Sequence, residues 1–222
     1  MDVDIACVGF GPAVAGFLTT LSRHLIGPDG TPLVESRVAP GLPPQVVCFE
    51  RADDIGVGVS GVVTRARGIR ASFPDLDPAE IPLATRVRHE KVVYLLDPIG
   101  ASRRSWSLRA ADRALRGLRG LLRVEHDAFE LPWVPPFLRK DEGLILSLGQ
   151  FTQWAGTGLL STGAVQLWPG TPVTSVLVED RRVAGVRLID QGTTADGQRS
   201  AGFTPGMDVR AALTVVGDGP IG

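Results

Sequence analysis

The spacing of apolar residues changes abruptly at residue 9. Val3 to Val8 is an apolar run of strand length; Gly9 and Gly11 end it, and beyond them Phe17, Leu18, Leu21 and Leu25 recur at helical spacing. The pattern predicts a strand, a tight turn and a helix. Ile26 to Gln45, rich in Gly, Pro and Ser, predicts a long surface connection, and Val46 to Glu50 a second apolar strand ending on a carboxylate. Leu144 to Ser147 reads as a strand, Gln150 to Leu160 as a helix ending near Gly163, and Val165 to Trp168 as a strand returning to the same sheet. Val173 to Glu179 and Arg182 to Ile189 are two strands joined by a tight polar turn, and Asp208 to Val216 is a last strand. This order predicts an α/β, Rossmann-like fold with a parallel sheet and a small antiparallel β-meander.

The first turn carries the candidate chemistry. Without a Cβ at Gly9 the chain turns sharply, and without one at Gly11 a pyrophosphate can approach the free N–H groups and positive end of the following helix. Phe10, Pro12 and Ala13 complete the bend, and Pro12 suits the first helical turn, where a missing N–H loses no partner. The third glycine of the dinucleotide fingerprint falls at position 14, which is Val14. Since that glycine serves helix-on-strand packing, its loss predicts a wider crossing, relieved by Ala15 and Gly16. Glu50 takes the place of the acid that accepts hydrogen bonds from an adenosine ribose. It lies about twice the usual ~20 residues from the glycine turn, an excess the connection at 26–45 accounts for. The glycine-rich loop at 56–61 allows backbone to lie along an extended cofactor, which suggests FAD more than NAD. Gly217, Asp218 and Gly219 open a turn at the carboxyl end of the last strand, where ligands of open α/β sheets sit.

Composition narrows the classes. The net charge of −1 gives no reason to expect nucleic acid, and 44% hydrophobic content describes an ordinary globular core. Lys91 and Lys140 are the only lysines among 23 basic residues, an arginine skew that fits a GC-rich genome better than a functional demand. Cys7 and Cys48 sit in strand patterns without metal-ligand spacing, and His24, His89 and His126 are isolated, so neither a metal site nor a catalytic side chain is expected. The chain opens on its first strand, without a leader pattern, and no run approaches the roughly 18 apolar residues of a membrane span. The expectation is a cytoplasmic location.

Residues 84–142 read as a segment inserted between the two halves, 1–83 and 143–222, of the nucleotide-binding domain. Residues 85–97 predict a strand or hairpin. Drawn as a helix, Ser107 to Val124 places Leu108, Ala111, Ala114, Leu115, Leu118, Leu121 and Leu122 on one face and Arg109, Arg113, Arg116, Arg119 and Arg123 on the other, with Trp106 at its start. Such a helix either packs its leucines on the protein or lies at residues 106–124 in a membrane interface, arginines against anionic head groups. The Trp133–Leu138 loop covers that helix or joins the same patch.

The loop at 50–63, Phe73-Pro74-Asp75-Leu76, the stretch from Leu146 to Trp154 and Leu167-Trp168-Pro169-Gly170 resemble the N-terminal part of electron-transfer flavoprotein:ubiquinone oxidoreductase. The resemblance implies the glutathione-reductase type of FAD-binding fold, with electrons passing from electron-transfer flavoprotein through FAD to a membrane quinone, and a peripheral place on the inner membrane. Carried over by position, Gly9, Gly11, Pro12 and Ala13 would meet the pyrophosphate, Glu50 and Arg51 the adenosine half, Ser60 and Gly61 the flavin side, and Val173 would lie near the adenine. Gly217-Asp218 tempts as a flavin-ribityl grip but matches by position an earlier strand-end glycine motif. Two departures stand out: Val14, and Ser147 where the family shows a basic residue. The family continues past this point with a second cofactor motif and an iron-sulfur domain, and two cysteines cannot ligate a four-iron cluster. The expected fold is therefore incomplete at its C-terminus, as a truncated chain or as one of a split pair completed by a second polypeptide. Two other functions remain open: a related FAD-dependent reductase or hydroxylase, and a catalytically silent nucleotide-binding or docking subunit.

Overall fold

The computed structural model describes residues 1–27, 29–57, 61–96, 103–122, 124–125, 127–193, 196 and 198–219. They form two compact units, Met1–Thr85 with Leu144–Gly222 and Arg86–Gly143. In the first, β1 (Asp2–Val8), α1 (Pro12–Leu25), β2 (Val46–Phe49), β3 (Gly61–Thr64) and α2 (Arg67–Ser72) lead to β4 (Thr85–Arg86), where the chain leaves for the second unit. That unit holds β5 (Val93–Leu95), α3 (Trp106–Gly117), β6 (Val124–Glu125) and β7 (Ala128–Glu130). The first unit resumes with β8 (Leu144–Ser147), α4 (Leu148–Ser161), β9 (Val165–Trp168), β10 (Val173–Glu179), β11 (Arg182–Leu188), β12 (Gln191–Thr193), β13 (Arg199–Thr204) and β14 (Asp208–Val216).

Six strands make the main sheet in the order β10-β11-β14-β1-β2-β9. β14, β1, β2 and β9 run parallel, and β11 and β10 add an antiparallel edge. The central strands are buried on both faces, which is why they read as unbroken apolar runs. Cys7, Val46, Cys48 and Val165 face Val14, Leu18, Leu25, Ala155 and Leu159 of α1 and α4, whereas Val3, Ala6, Val47 and Phe49 join Val186, Leu188, Val209 and Ala211 on the other face.

Asp4 is the buried polar residue of β1, and it anchors the long connection. Its buried carboxylate accepts hydrogen bonds from Ser36 Oγ at 2.6 Å and from the N–H groups of Arg37 and Gln45, each at 2.7 Å. Burial acts to raise its pKa, but these bonds, Ser36 foremost, outweigh it and hold the carboxyl below its ordinary range.

In the second unit the structure corrects the helix read at 107–124. α3 ends at Gly117, Leu121 and Leu122 N–H turn back onto the Leu118 carbonyl, and Val124 starts β6. Gly117 and Gly120 each lower helix propensity by about 1 kcal/mol, which the leucine spacing does not overcome. The only acid of α3, Asp112, is fully buried and accepts from Arg104 Nη1 and from the Tyr94 hydroxyl, both at 2.8 Å. Apart from Asp112 the helix is little covered: Trp106 is 78% exposed, and Leu108, Arg109 and Arg113 are exposed as well. No helix among the described residues is long and apolar enough to cross a membrane.

Candidate dinucleotide groove

The carboxyl ends of β1, β2 and β14 meet at one bend. Gly9 N–H donates to the Phe49 carbonyl at 2.7 Å and Gly217 N–H to that of Val8 at 2.8 Å, so the turn lies between the two flanking strands. Gly9 has φ +81°, and a Cβ there would stand 2.8 Å from the Gly217 oxygen and 3.0 Å from Asp218 Cα. Only glycine satisfies both the conformation and the close approach. Gly11 is different. Its φ of −96° suits any residue, and a Cβ added there would meet no atom of the described residues within 4 Å. The space in front of the helix end is open, and α1 starts there with no side-chain cap and no acid in its first turn. The positive end of the helix is therefore aimed into a seat that a side chain at position 11 would fill.

Glu50 turns into the same groove. Its Oε2 accepts the Phe10 N–H at 2.6 Å and its Oε1 the Ala52 N–H at 2.9 Å. A carboxylate has about four acceptor sites, so two remain for a ligand's hydroxyls. The Phe10 ring goes the other way, into the core under α4. The groove encloses about 180 Å³ between Gly11, Pro12 and Glu50 on one side and Gly56, Val57, Leu148 and Gly149 on the other. Gly56 and Gly149 pack backbone to backbone, and a Cβ on either would strike the other's carbonyl oxygen. The start of α4 thus forms the second wall, a contribution visible beforehand only as the Leu148-Gly149 pair. Ser147 caps α4 through its Oγ, which accepts from Gln150 N–H at 3.4 Å. Pro12 and Leu148 also border an apolar cavity of about 280 Å³ floored by Val62, Ile69, Phe73 and Phe151.

The remaining candidates fall at graded distances along the chain from this bend. Arg51 is exposed beside Glu50. Gly61 opens β3 in register with Ser147, and Ser60 lies outside the described residues. Thr171 N–H donates to the Glu50 carbonyl at 2.8 Å, so the turn leading to Val173 is fastened to the acid; Val173 itself packs in the opposite core. Gly217 and Asp218 lie against Gly9, while a Cβ at Gly219 would meet no atom of the described residues within 4 Å.

Val14 is accommodated otherwise than its neighbours in sequence suggest. Gly16 faces Ser72 of α2, where a Cβ would stand 3.2 Å from Oγ, and does not relieve the crossing. The relief comes from the strand: a Cβ on Gly217 would overlap Val14 Cγ2. The missing glycine of the helix is replaced by one on β14's exit.

Cys7 and Cys48 are direct register partners, and Cys48 Sγ lies 3.7 Å from the Gly9 carbonyl oxygen. The hydrogen bond to Cys7, burial and the nearby Glu50 charge push the Cys48 thiol far above its ordinary range.

No family model matches the chain. Among curated proteins it is 26% identical over 218 residues to the mitochondrial electron transfer flavoprotein-ubiquinone oxidoreductase of Dictyostelium discoideum, covering 97% of this chain and 29% of that protein. To the enzyme of Pseudomonas aeruginosa it is 25% identical over 224 residues, 99% of this chain and 33% of that one. To that of Caenorhabditis elegans the identity is 36%, over 90 residues. The chain thus spans about a third of the length of the first two relatives, and the match to the third covers 40% of this chain and 15% of that protein. Among solved structures the myxobacterial chondrochloren halogenase CndH, described as a variant of FAD-dependent halogenases, superposes with a TM-score of 0.52 at 13% identity, covering 98% of this chain and 37% of that one. Over nearly its whole length the chain is similar to the electron transfer flavoprotein-ubiquinone oxidoreductases, and its fold is the Rossmann-like one of FAD-binding proteins.

Proposed function

We propose that the groove holds FAD and that the chain is the flavin-holding part of an oxidoreductase passing electrons from electron-transfer flavoprotein towards a membrane quinone. One observation carries the reading: the Glu50 carboxylate, with two acceptor sites left, faces the open seat at Gly11 at the uncapped end of α1. The diphosphate would lie at Gly9, Phe10, Gly11, Pro12 and Ala13, the ribose on Glu50, and the extended remainder along the Gly56–Gly149 wall towards Gly61. FAD, when bound, supplies the redox chemistry, as a group able to exchange one or two electrons. The chain's own residues orient and neutralise: helix amides meet the phosphates, Glu50 fixes the sugar, and paired glycines let backbone come close on both sides. None is given a role as a proton donor or acceptor.

Gly11→Ala tests this, since its methyl enters only open space and costs the fold under about 1 kcal/mol. The expected result is an unchanged unfolding midpoint with bound flavin lost, and Glu50→Gln likewise loses flavin. A folded Gly11→Ala protein that keeps full flavin absorbance would sink the reading. Reduction of the loaded protein by electron-transfer flavoprotein, against a nicotinamide donor, separates it from a reductase or hydroxylase.

The relatives' quinone chemistry and the second unit support a peripheral membrane location. α3 exposes Trp106 and Leu108 beside Arg109 and Arg113, the turn after it exposes Leu118 and Leu121, and the helix's sole acid is sealed against Arg104. Sedimentation with anionic but not neutral vesicles, lost in Trp106→Ser/Leu121→Ser, is the expected outcome. An open strand edge supports a second polypeptide as well: β11 pairs with β14 over Asp208–Arg210, and residues 212–216 have no partner strand on that side among the described residues.

A further inference from the structure

Away from the dinucleotide groove, α1 and α4 leave a larger cleft of about 660 Å³ between them. Thr19 lines it, only 7% exposed, and its Oγ1 has no hydrogen-bond partner among the described residues. Helical threonines usually satisfy that hydroxyl on the carbonyl one turn back. Thr20, Thr152 and Thr157 do so here, at 2.9, 2.8 and 3.0 Å. Thr19 does not. A 120° turn about χ1 carries the hydroxyl to another of the staggered positions on Cβ, so a ligand offering a partner in the cleft gives the group a bond the protein withholds.

The other walls define what that ligand is. Arg23, one turn beyond Thr19 on the same face of α1, is exposed at the rim and makes no ion pair among the described residues. The rings of Trp154 and Phe73, with centroids 5.2 Å apart, form an aromatic wall. Gly158 leaves the α4 side open: it is exposed, and a Cβ there would meet no atom of the described residues within 4 Å. We propose that this cleft binds a small aromatic carboxylate, its ring on Trp154 over Gly158, its carboxylate at Arg23 and a ring hydroxyl on Thr19.

The proposal is independent of flavin binding, and flavin content is read on the same samples. The probes are 6-hydroxy-2-naphthoate, 2-naphthoate and neutral 2-naphthamide, titrated by calorimetry and tryptophan quenching. The hydroxynaphthoate is expected to bind one-to-one and tighter than the other two. Thr19→Val, which keeps the shape of the side chain, should weaken it about 3- to 10-fold while leaving 2-naphthoate unchanged. Arg23→Gln should weaken both acids about 10-fold and spare the amide. Gly158→Leu, a better helix former than glycine, should abolish binding of all three without lowering the unfolding midpoint. Absence of saturable binding to the unmodified protein below about 10 mM overturns the proposal. So does equal binding by Gly158→Leu, or an equal effect of Thr19→Val on both acids.

Discussion

The contact between Val14 and Gly217 makes a quantitative prediction. A methyl at Gly217 would overlap Val14 Cγ2. Val14 is buried and, being β-branched in a helix, has essentially one χ1 rotamer, so it cannot swing away. The strand end cannot retreat either, because Gly9 packs against the Gly217 carbonyl and Gly217 N–H is bonded to Val8. Gly217→Ala should therefore cost about 1–3 kcal/mol through overpacking. Val14→Ala removes two buried methyls, about 0.8 kcal/mol each plus a cavity penalty, offset by the better helix propensity of alanine; about 2 kcal/mol remains. In the double variant the new methyl occupies the vacated space, and the two costs should fail to add by about 1–2 kcal/mol. Urea unfolding of the four proteins measures the coupling. If the single costs add within about 0.5 kcal/mol, the two side-chain positions do not share one space and the account of the missing glycine is wrong.

Asp4→Asn turns an amide N–H₂ towards at least one of the groups now donating to the carboxylate, so it should cost about 2–3 kcal/mol in chemical unfolding. The sign of the pH effect follows from the carboxyl being held below its ordinary 3.8: its contribution is full above that value and disappears as pH falls through the lower folded-state value. The variant should lose this part of the acid dependence, and an unchanged pH–stability slope below about pH 4 would contradict it. Cys7 and Cys48, both without exposed surface, should resist a thiol reagent at pH 8 and react together only at the rate of global unfolding.

The strand, bend and opening helix were legible because each depends on residues close in sequence: a change of apolar period and two glycines. Glu50 was legible as the acid ending the second strand. Three things were not. The leucine period around residue 115 predicts an amphipathic helix but not which side is covered. The cover went to Asp112, whose partners Tyr94 and Arg104 lie outside the helix and leave no periodic trace. Gly117 and Gly120 signal the helix end, yet apolar spacing runs on past them, and spacing alone does not register the propensity lost there. And β3 with α2, which pair with β8 and pack on α1, lie in a stretch too short and mixed for either period to register.

The Val14 substitution shows why a fingerprint is a weaker guide than the geometry behind it. A dinucleotide bend needs a tight turn at its first glycine and an unobstructed phosphate seat at its second, both local demands met here by Gly9 and Gly11. The third demand is close approach between helix and strand, and it is met equally by removing a Cβ from either partner. In this chain the Cβ is absent from the strand's exit at Gly217, nearly the whole length of the sequence away from Val14. It follows that positions 14 and 217 are constrained as a pair. Among sequences aligned to this one, those with a branched side chain at 14 should keep glycine at 217, and alanine or larger at 217 should occur only where 14 is glycine or alanine. Frequent co-occurrence of large residues at both would show that the crossing is set by something other than this contact.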